Sequence, residues 1–522
     1  MTNEIVKYPI GIQDFESLRR GGYVYVDKTE VVFRLISSGK YFFLSRPRRF
    51  GKSLFLSTLK AFFEGKKELF EGLAIGHLET EWKKRPVLHL ELSRTNRFDY
   101  ESLHDIISQQ LQAWENLYGI KAYYSSPAVR FGSVIRRVSE LTGESVVILI
   151  DEYDNPLINT LRDQELHEKN KELLKSLYSN LKYLDCCIHF AMLTGVSRFT
   201  KTSVFSGLNN LRDITFENEF ADICGITNDE LISYFSKGIE SIATEQGNSR
   251  EQTLSQLKSH YDGYHFSAKS PDIYNPFSLL NAFAKKEIGD YWFSSATPEF
   301  LVRELRQEGK NLQETFNSHA QESTLRETDS DTLSTQALLF QAGYLTIKGY
   351  EPRFRRYKLG IPNREVEEGL DRLLLRDFLY PDIERGNSFV FRMVNDIEEG
   401  RPEEFLTTLK TFFAGVPFDM SKGSREVYFH NSFYILCSLI GLFVKAENHT
   451  SQGSIDLQIE TEKFIYIIEL KLDHSSEEAL RQIEEKGYVL GYKQDGRRVF
   501  KIGVNFSSET RNISDWKILE QD

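Results

Sequence analysis

The run Lys40-Tyr-Phe-Phe-Leu-Ser45 passes through Arg46-Pro-Arg-Arg-Phe-Gly-Lys-Ser53 into a segment whose Leu54, Leu56, Leu59, Phe62 and Phe63 recur at helical spacing. Strand, basic glycine-containing turn and helix, in that order, leave few folds open, because the turn brings backbone N–H groups together at a helix N-terminus. Such a terminus holds anions, phosphates above all. The Gly-Lys-Ser ending fits this chemistry: Lys52 supplies a point charge to the phosphates and Ser53 a hydroxyl ligand for Mg2+. Arg46 stands where a phosphate loop places its first glycine. Arg46, Arg48 and Arg49 are expected to add charge there, Gly51 to permit close backbone approach, and Pro47, Phe50 and Leu54 to complete the loop. A basic surface turn is the competing reading.

Further along, Ser145-Val-Val-Ile-Leu-Ile-Asp-Glu152 is an apolar run ending in two carboxylates. It suits a strand buried on both faces of a parallel sheet. Ligands sit at the C-terminal ends of such strands. Asp151 is expected to hold Mg2+ through water, and Glu152 to orient or deprotonate an attacking water; an acidic helix cap is the plainer alternative. Two more strands, "RPVLHLELS" and "CCIHFAMLTG", flank this one. The extra strand between the lysine loop and the acidic strand marks the NTPase division that carries a catalytic glutamate (the ASCE type). In that layout the later strand is inserted between the first and the acidic one. Thr194 at its tip is then a candidate γ-phosphate sensor, or else a turn cap. Arg198 is a candidate arginine finger or sensor, or else a solvated cation.

Composition narrows the setting. The 522 residues allow two to four domains, and 38 Phe with 25 Tyr favour packed cores over disorder. A net charge of −11 argues against nucleic acid coating the whole surface, so any such contact must come from a local patch. No apolar run reaches the roughly 18–20 residues that span a bilayer. The start lacks the basic and apolar blocks of a secretion signal, and the four cysteines form neither metal-ligand spacing nor a disulfide framework. A cytoplasmic protein without a membrane partner is expected.

Residues 226–420 are richer in helical periodicity, interrupted by turns. Leu338–Asn363 alternates like a hairpin, the pattern of the wing of a winged-helix module, here read as a packing unit beside the first domain. From Glu426 the pattern becomes helix, three strands, helix and strand. Glu469 and Lys471 share one face of "KFIYIIELKL" with Ile465 and Ile467, and Asp456 lies on the polar face of "SIDLQIETE". Two carboxylates and an amine on neighbouring strands suit Mg2+, or Mn2+, beside a phosphodiester. The alternative is an ordinary Glu469–Lys471 ion pair. Lys486, Lys493, Arg497, Arg498 and Lys501 form a basic row, open to phosphate contact or simply solvated.

Several blocks carry a family resemblance. "YPIGIQDFESLRRGGYVYVDKTEVVFRLI", "FLSRPRRFGKSLFLSTLKAFFEGKKELFEGLAI", "IDEYD", "LTGVSRFTKTSVFSGLNNLRDIT", "YDGYHF" and "YNPFSLLNAF" resemble the AAA-ATPase-like proteins of bacteria, arginine-substituted loop included. The resemblance implies ATP, with nucleotide roles for Lys52, Ser53, Asp151 and Glu152. Tyr25-Val-Asp-Lys-Thr29 matches a further family block, best explained by packing. Asp456, Glu469-x-Lys471 and the following Gln482 and Tyr488 resemble the PD-(D/E)XK nucleases. That resemblance implies a catalytic set of Asp456, Glu469 and Lys471, with Asp456 and Glu469 as metal ligands, Gln482 and Tyr488 as auxiliary residues, and Glu426 as a helper. Ser454 departs from the Arg common before the Ile-Asp of related sequences.

The expected fold is α/β and multidomain. A P-loop NTPase with an ASCE-type parallel sheet spans 1–225, a mainly helical, winged-helix-like region 226–420, and a restriction-endonuclease-like α/β domain 421–522. The expected function is a P-loop ATPase fused to a metal-dependent nuclease that cleaves DNA, rather than RNA, under nucleotide control, in defence or mobile-element biology by analogy. The alternative is a nucleotide-gated switch whose nuclease fold is inactive or only binds nucleic acid. Homo-oligomerisation stays open.

Overall fold

The computed structural model describes residues 6–93, 99–160, 163–197, 210–293, 305, 311–326, 334–376, 383–415, 425–441, 444–447, 457–492 and 495–521. The chain divides into two compact units, residues 1–296 with 316–365, and residues 297–315 with 366–522.

The first unit is built on five parallel strands, β1 (Tyr41–Ser45), β2 (Val87–Glu91), β3 (Val146–Asp151), β4 (Ile188–Gly195) and β5 (Arg212–Asp213). Their order is β2-β3-β4-β1-β5, so β4 lies between the first and the acidic strand. All of β1 and β3 is buried, as happens where helices cover both faces of a sheet. On one face Tyr41, Phe43, Ile148 and Ile150 pack against helices Tyr100–Tyr118, Pro127–Thr142 and Gln164–Tyr183 through residues such as Ile107, Val134 and Leu177. The opposite face carries Phe42 and Phe190, and Phe190 meets Phe63 of helix Lys52–Phe63 with 5.2 Å between ring centroids. Beyond the sheet, β6 (Ile226–Thr227) pairs antiparallel with β7 (Ile273–Tyr274) around helices Asn228–Gln246 and Arg250–Tyr261. Both helices open with a capping box, Thr227 with Glu230 and Ser249 with Gln252, which satisfies N–H groups that have no partner inside the helix. β8 (His319–Gln321), β9 (Thr346–Glu351) and β10 (Arg356–Gly360) make an antiparallel sheet. The alternation in Leu338–Asn363 is the β9–β10 hairpin.

The second unit contains helices Ile383–Glu398, Pro402–Gly415 and Arg425–Gly441 and a five-stranded sheet. Its strands β11 (Lys445–Glu447), β12 (Leu457–Glu460), β13 (Phe464–Leu472), β14 (Arg498–Ser507) and β15 (Asn512–Gln521) lie in sequence order. β13 and β14 are parallel and joined by helix Ser476–Glu485; the other neighbours are antiparallel. Ile465, Ile467 and Val499 pack under Leu480 and Ile483 of that helix. Gly503 permits the close approach: a Cβ there would lie 2.2 Å from the Ser476 carbonyl oxygen and 2.9 Å from the Leu480 nitrogen. Helix Pro402–Gly415 is held to the sheet by Phe413 against Phe506 and by the Trp516 indole N–H, which donates to Glu403 at 2.8 Å. β15 is a strand beyond the last one expected from the sequence, and it pairs along most of β14. Among the described residues no helix is long and apolar enough to cross a membrane.

Candidate functional site

The loop between β1 and helix Lys52–Phe63 is fixed from several sides. The Arg46 N–H donates to the Gly195 carbonyl at the tip of β4, 3.2 Å away. Arg49 (φ +67) and Gly51 (φ +96) take left-handed backbone conformations that swing the chain into the helix; glycine adopts this at no steric cost, arginine only when its surroundings hold it there. Lys52 is 5% exposed, and its Nζ donates to the carbonyls of Arg46 (2.9 Å) and Pro47 (3.0 Å). Burial lowers its pKa, while Glu152, Asp151 and Asp154 favour the charged form. Ser53 and Leu54 follow, half-buried, in the first helical turn.

Arg46 departs from the expectation of added charge at the phosphates. Its side chain is 1% exposed. Nη1 donates to the carbonyls of Ser45 (2.8 Å) and Thr215 (3.0 Å), Nη2 donates to Phe220 (3.1 Å), and the guanidinium lies 4.1 Å over the Phe266 ring. A buried guanidinium committed to carbonyls cannot also reach a phosphate, so Arg46 braces the loop. Burial raises the pKa of Glu152, and the charges of Arg48 and Arg49 work in the opposite direction, favouring its ionised form. The brace includes residues whose role the sequence did not disclose. Phe50, itself 1% exposed, meets Tyr264 and Phe266 edge-on at 4.8 and 5.5 Å. Arg49 covers Phe277 at 4.8 Å, and the Trp292 indole N–H donates to the Arg48 carbonyl at 3.0 Å. The "YDGYHF" and "YNPF" blocks therefore form a seat for the loop.

At the tip of β3, Asp151 is 5% exposed, and its Oδ1 accepts from the Thr194 hydroxyl (2.6 Å) and the Glu152 N–H (3.1 Å). Thr194 is fully buried, so its hydroxyl orients Asp151. Glu152 turns off the strand with φ +51, and burial raises its pKa. Asp154 was missed by sequence reasoning, although the acid repeated in Ile-Asp-Glu-Tyr-Asp154 was a visible signal. It is 1% exposed and accepts from the N–H groups of Val196 (2.9 Å) and Ser197 (2.5 Å), fixing the turn after Thr194. Burial pushes its pKa up to about 7. Arg198 lies outside the described residues. A hydroxyl at the helix start and a carboxylate at the strand tip are hard oxygen donors of the kind Mg2+ accepts alongside its waters.

In the second unit, Glu469 is 1% exposed on β13, and its Oε1 accepts from the Gln482 amide. Lys471 Nζ lies 3.4 Å from the same oxygen and donates to Gln482 Oε1 at 2.6 Å. Glu469, Lys471 and Gln482 thus meet on the face covered by helix Ser476–Glu485, and Tyr488 packs against the apolar cluster beneath it. Asp456 lies outside the described residues, as does the side chain of Glu426. The described antiparallel pairing ends with Leu457 opposite Ile468. One buried carboxylate beside an amine suits a hard cation that needs only one or two carboxylates; among the described residues no group of three or more His, Cys, Asp or Glu surrounds a common point. Of the basic row, Lys493 lies outside the described residues, while Arg497 pairs with Asp495 and Glu460, Arg498 with Glu520, and Lys501 with Glu484.

Comparison with known proteins matches residues 9–205 to a family described as a predicted AAA-ATPase, AAA-ATPase-like, and residues 424–516 to the PD-(D/E)XK nuclease superfamily. An uncharacterized protein in the vnfD 5′ region of Azotobacter chroococcum mcd 1 is 36% identical over 525 residues, covering 97% of this chain and 98% of that protein. No solved structure matches the chain.

Proposed function

Because this chain belongs to a family that joins a predicted AAA-ATPase-like domain to a C-terminal PD-(D/E)XK nuclease superfamily domain, we propose that it hydrolyses ATP at the Lys52 loop and that the nucleotide governs metal-dependent cleavage of DNA. The observation that carries the ATPase half is the buried Lys52 ammonium, held by the Arg46 and Pro47 carbonyls of the loop, whose charged form Glu152, Asp151 and Asp154 favour. Lys52 exchanges its bonds to the Arg46 and Pro47 carbonyls for phosphate oxygens. Glu152, with its proton affinity raised by burial, takes a proton from water as the water oxygen bonds the γ-phosphorus. The bond from that phosphorus to the β–γ bridging oxygen breaks, releasing ADP and phosphate. Asp154 and Thr194 hold the neighbouring backbone and Asp151 still. Mg2+ held by Ser53 and Asp151 here, and by Asp456 and Glu469 in the second unit, would offset phosphate charge and acidify water.

For the nuclease half, Gln482 bridges Glu469 and Lys471. The carboxylate is thereby oriented, and the ammonium is placed to offset charge developing on a scissile phosphate. The assignment of Asp456 rests on its sequence position. Cytoplasmic action on DNA, in defence or mobile-element biology, completes the proposal.

The test is nicking of supercoiled DNA by the purified chain with Mg2+ or Mn2+, with and without ATP. Nicking that needs ATP and disappears in both Lys52→Ala and Lys471→Ala, with ATP hydrolysis lost only in the former, is the expected result. Wild-type protein that cleaves no single- or double-stranded nucleic acid under any of these conditions would end the nuclease half.

A further inference from the structure

We propose that the β9–β10 hairpin is a contact for duplex DNA, with Arg353 and Arg355 at its tip on backbone phosphates and Phe354 between them at the groove. This rests on the reading of the chain as an enzyme that acts on DNA, and it names a surface by which the first unit takes hold of that partner. A chain with a net charge of −11 needs a local basic patch for such a contact. Within residues 346–360 five cations, Lys348, Arg353, Arg355, Arg356 and Lys358, stand against one carboxylate, Glu351. In the C-terminal row, by contrast, Arg497, Arg498 and Lys501 are paired with acids.

One side of the hairpin is committed to the core and the other is open. Ala320, Tyr357 and Leu359 are buried on the inner side. There Tyr357 stacks on Phe216 with 6.2 Å between ring centroids, and its hydroxyl donates to Glu322 at 3.0 Å. Strand alternation puts His319, Gln321, Arg356 and Lys358 on the outer side. Glu351 is taken up on that side, accepting from Arg356 at 2.7 Å with His319 3.2 Å away. Arg353, Arg355 and Lys358 are exposed and enter no ion pair among the described residues. At the tip, Arg355 is held at φ +49, a left-handed backbone that glycine or asparagine adopts more readily. Phe354 is 54% exposed, with the guanidinium groups of Arg353 and Arg356 5.3 and 5.0 Å from its ring centroid. Packing explains neither the bare ring nor an arginine at that turn position. Duplex DNA answers both: guanidinium groups bind phosphate oxygens two bonds at a time, a two-stranded ribbon fits the major groove, and an apolar side chain can wedge at a base step. An acidic lipid surface calls for a broad apolar face, whereas here one ring projects from the tip.

The test is fluorescence anisotropy of a short labelled duplex titrated with the full chain in EDTA, so that no metal supports cleavage, over a series of salt concentrations. Arg353→Ala/Arg355→Ala should weaken binding at least tenfold and, with two phosphate contacts gone, flatten the log–log salt slope by about 1.8. Phe354→Ala should weaken binding about tenfold and leave the slope unchanged. Arg353→Lys/Arg355→Lys keeps the charge and should keep the slope, which separates lost phosphate contacts from a disturbed hairpin. Wild-type affinity and slope in the double alanine variant would overturn the hairpin contact and leave the reading of the chain as a DNA enzyme standing. A wild-type chain that binds no duplex overturns both. Unchanged DNA binding in the double alanine variant, together with lost binding to vesicles containing phosphatidylserine, would overturn the contact in favour of a lipid surface.

Discussion

Single side chains in the first unit divide into those that chemistry makes recognisable and those that only folding explains. Lys52, Asp151 and Glu152 stand out in the sequence because phosphate chemistry calls for a lysine at a helix start and carboxylates at a strand end. Glu152→Gln should still bind ATP while phosphate release falls by about 10²–10⁴-fold, since the amide cannot take the proton; a rate within threefold of wild type would remove Glu152 from the reaction. Arg46 was legible only as an oddity, because its carbonyl partners lie as far away as residue 220. Arg46→Gly restores the glycine of the common motif yet strips buried carbonyls of their donors. Each unmet group costs about 1–3 kcal/mol, so a loss of roughly 3 kcal/mol or more is expected in urea unfolding. Glu365 gives a pH test. It is 1% exposed, accepts from the Ser278 hydroxyl and the Tyr291 and Trp292 N–H groups, and is pushed by burial up to about 7. The unfolded carboxyl titrates near 4.3, so between about 4.3 and about 7 the folded chain holds a proton that the unfolded chain has lost. Stability should therefore fall as pH rises through that window, by up to about 1.4 kcal/mol per pH unit, and level off above it. Glu365→Gln, unable to ionise, should lose this share of the slope while the share from Asp154, also raised to about 7, remains, when unfolding is followed by tryptophan fluorescence at a series of pH values.

Among elements, the parallel sheet was the most legible because its strands are short apolar runs bounded by turns. Fully buried strands carry no face pattern, yet β1 leads through its loop into Gly51-Lys52-Ser53 and β3 ends in Asp151 followed by Glu152, and those residues identify them. β15 was harder. Asn512–Gln521 carries charged residues on the exposed side, and its pairing with β14 is visible only once β14 is in place. The helix Ser476–Glu485 shows how an element presents a site residue. It lies close enough to β14 for Gln482 to reach Glu469 and Lys471 because position 503 has no side chain. Gly503→Ala should push the helix outward and lower DNA nicking at least tenfold while leaving ATP hydrolysis within twofold of wild type. Equal nicking by that variant would show that Gln482 does not need this docking.

At the scale of the molecule, the order β2-β3-β4-β1-β5 could be anticipated, since an extra strand ahead of the acidic one implies where β4 must go. The seat of the loop could not, because Tyr264, Phe266, Phe277 and Trp292 carry no periodic signal connecting them to Arg46–Phe50. A chain ending at residue 260 should accordingly fail to bind ATP, as judged by calorimetry, even though it contains Lys52, Asp151 and Glu152. ATP affinity within threefold of the full chain would show the seat to be dispensable.

The indole bond from Trp292 to Arg48 spans 244 residues of sequence. At a synthesis rate of about 5–20 residues per second, the ribosome needs about 12–50 s to deliver the second partner after the first. For that interval the Arg48 carbonyl in the loop waits for its indole donor. A chain terminated before residue 292 leaves that carbonyl without this donor, so the loop's support is completed late in synthesis.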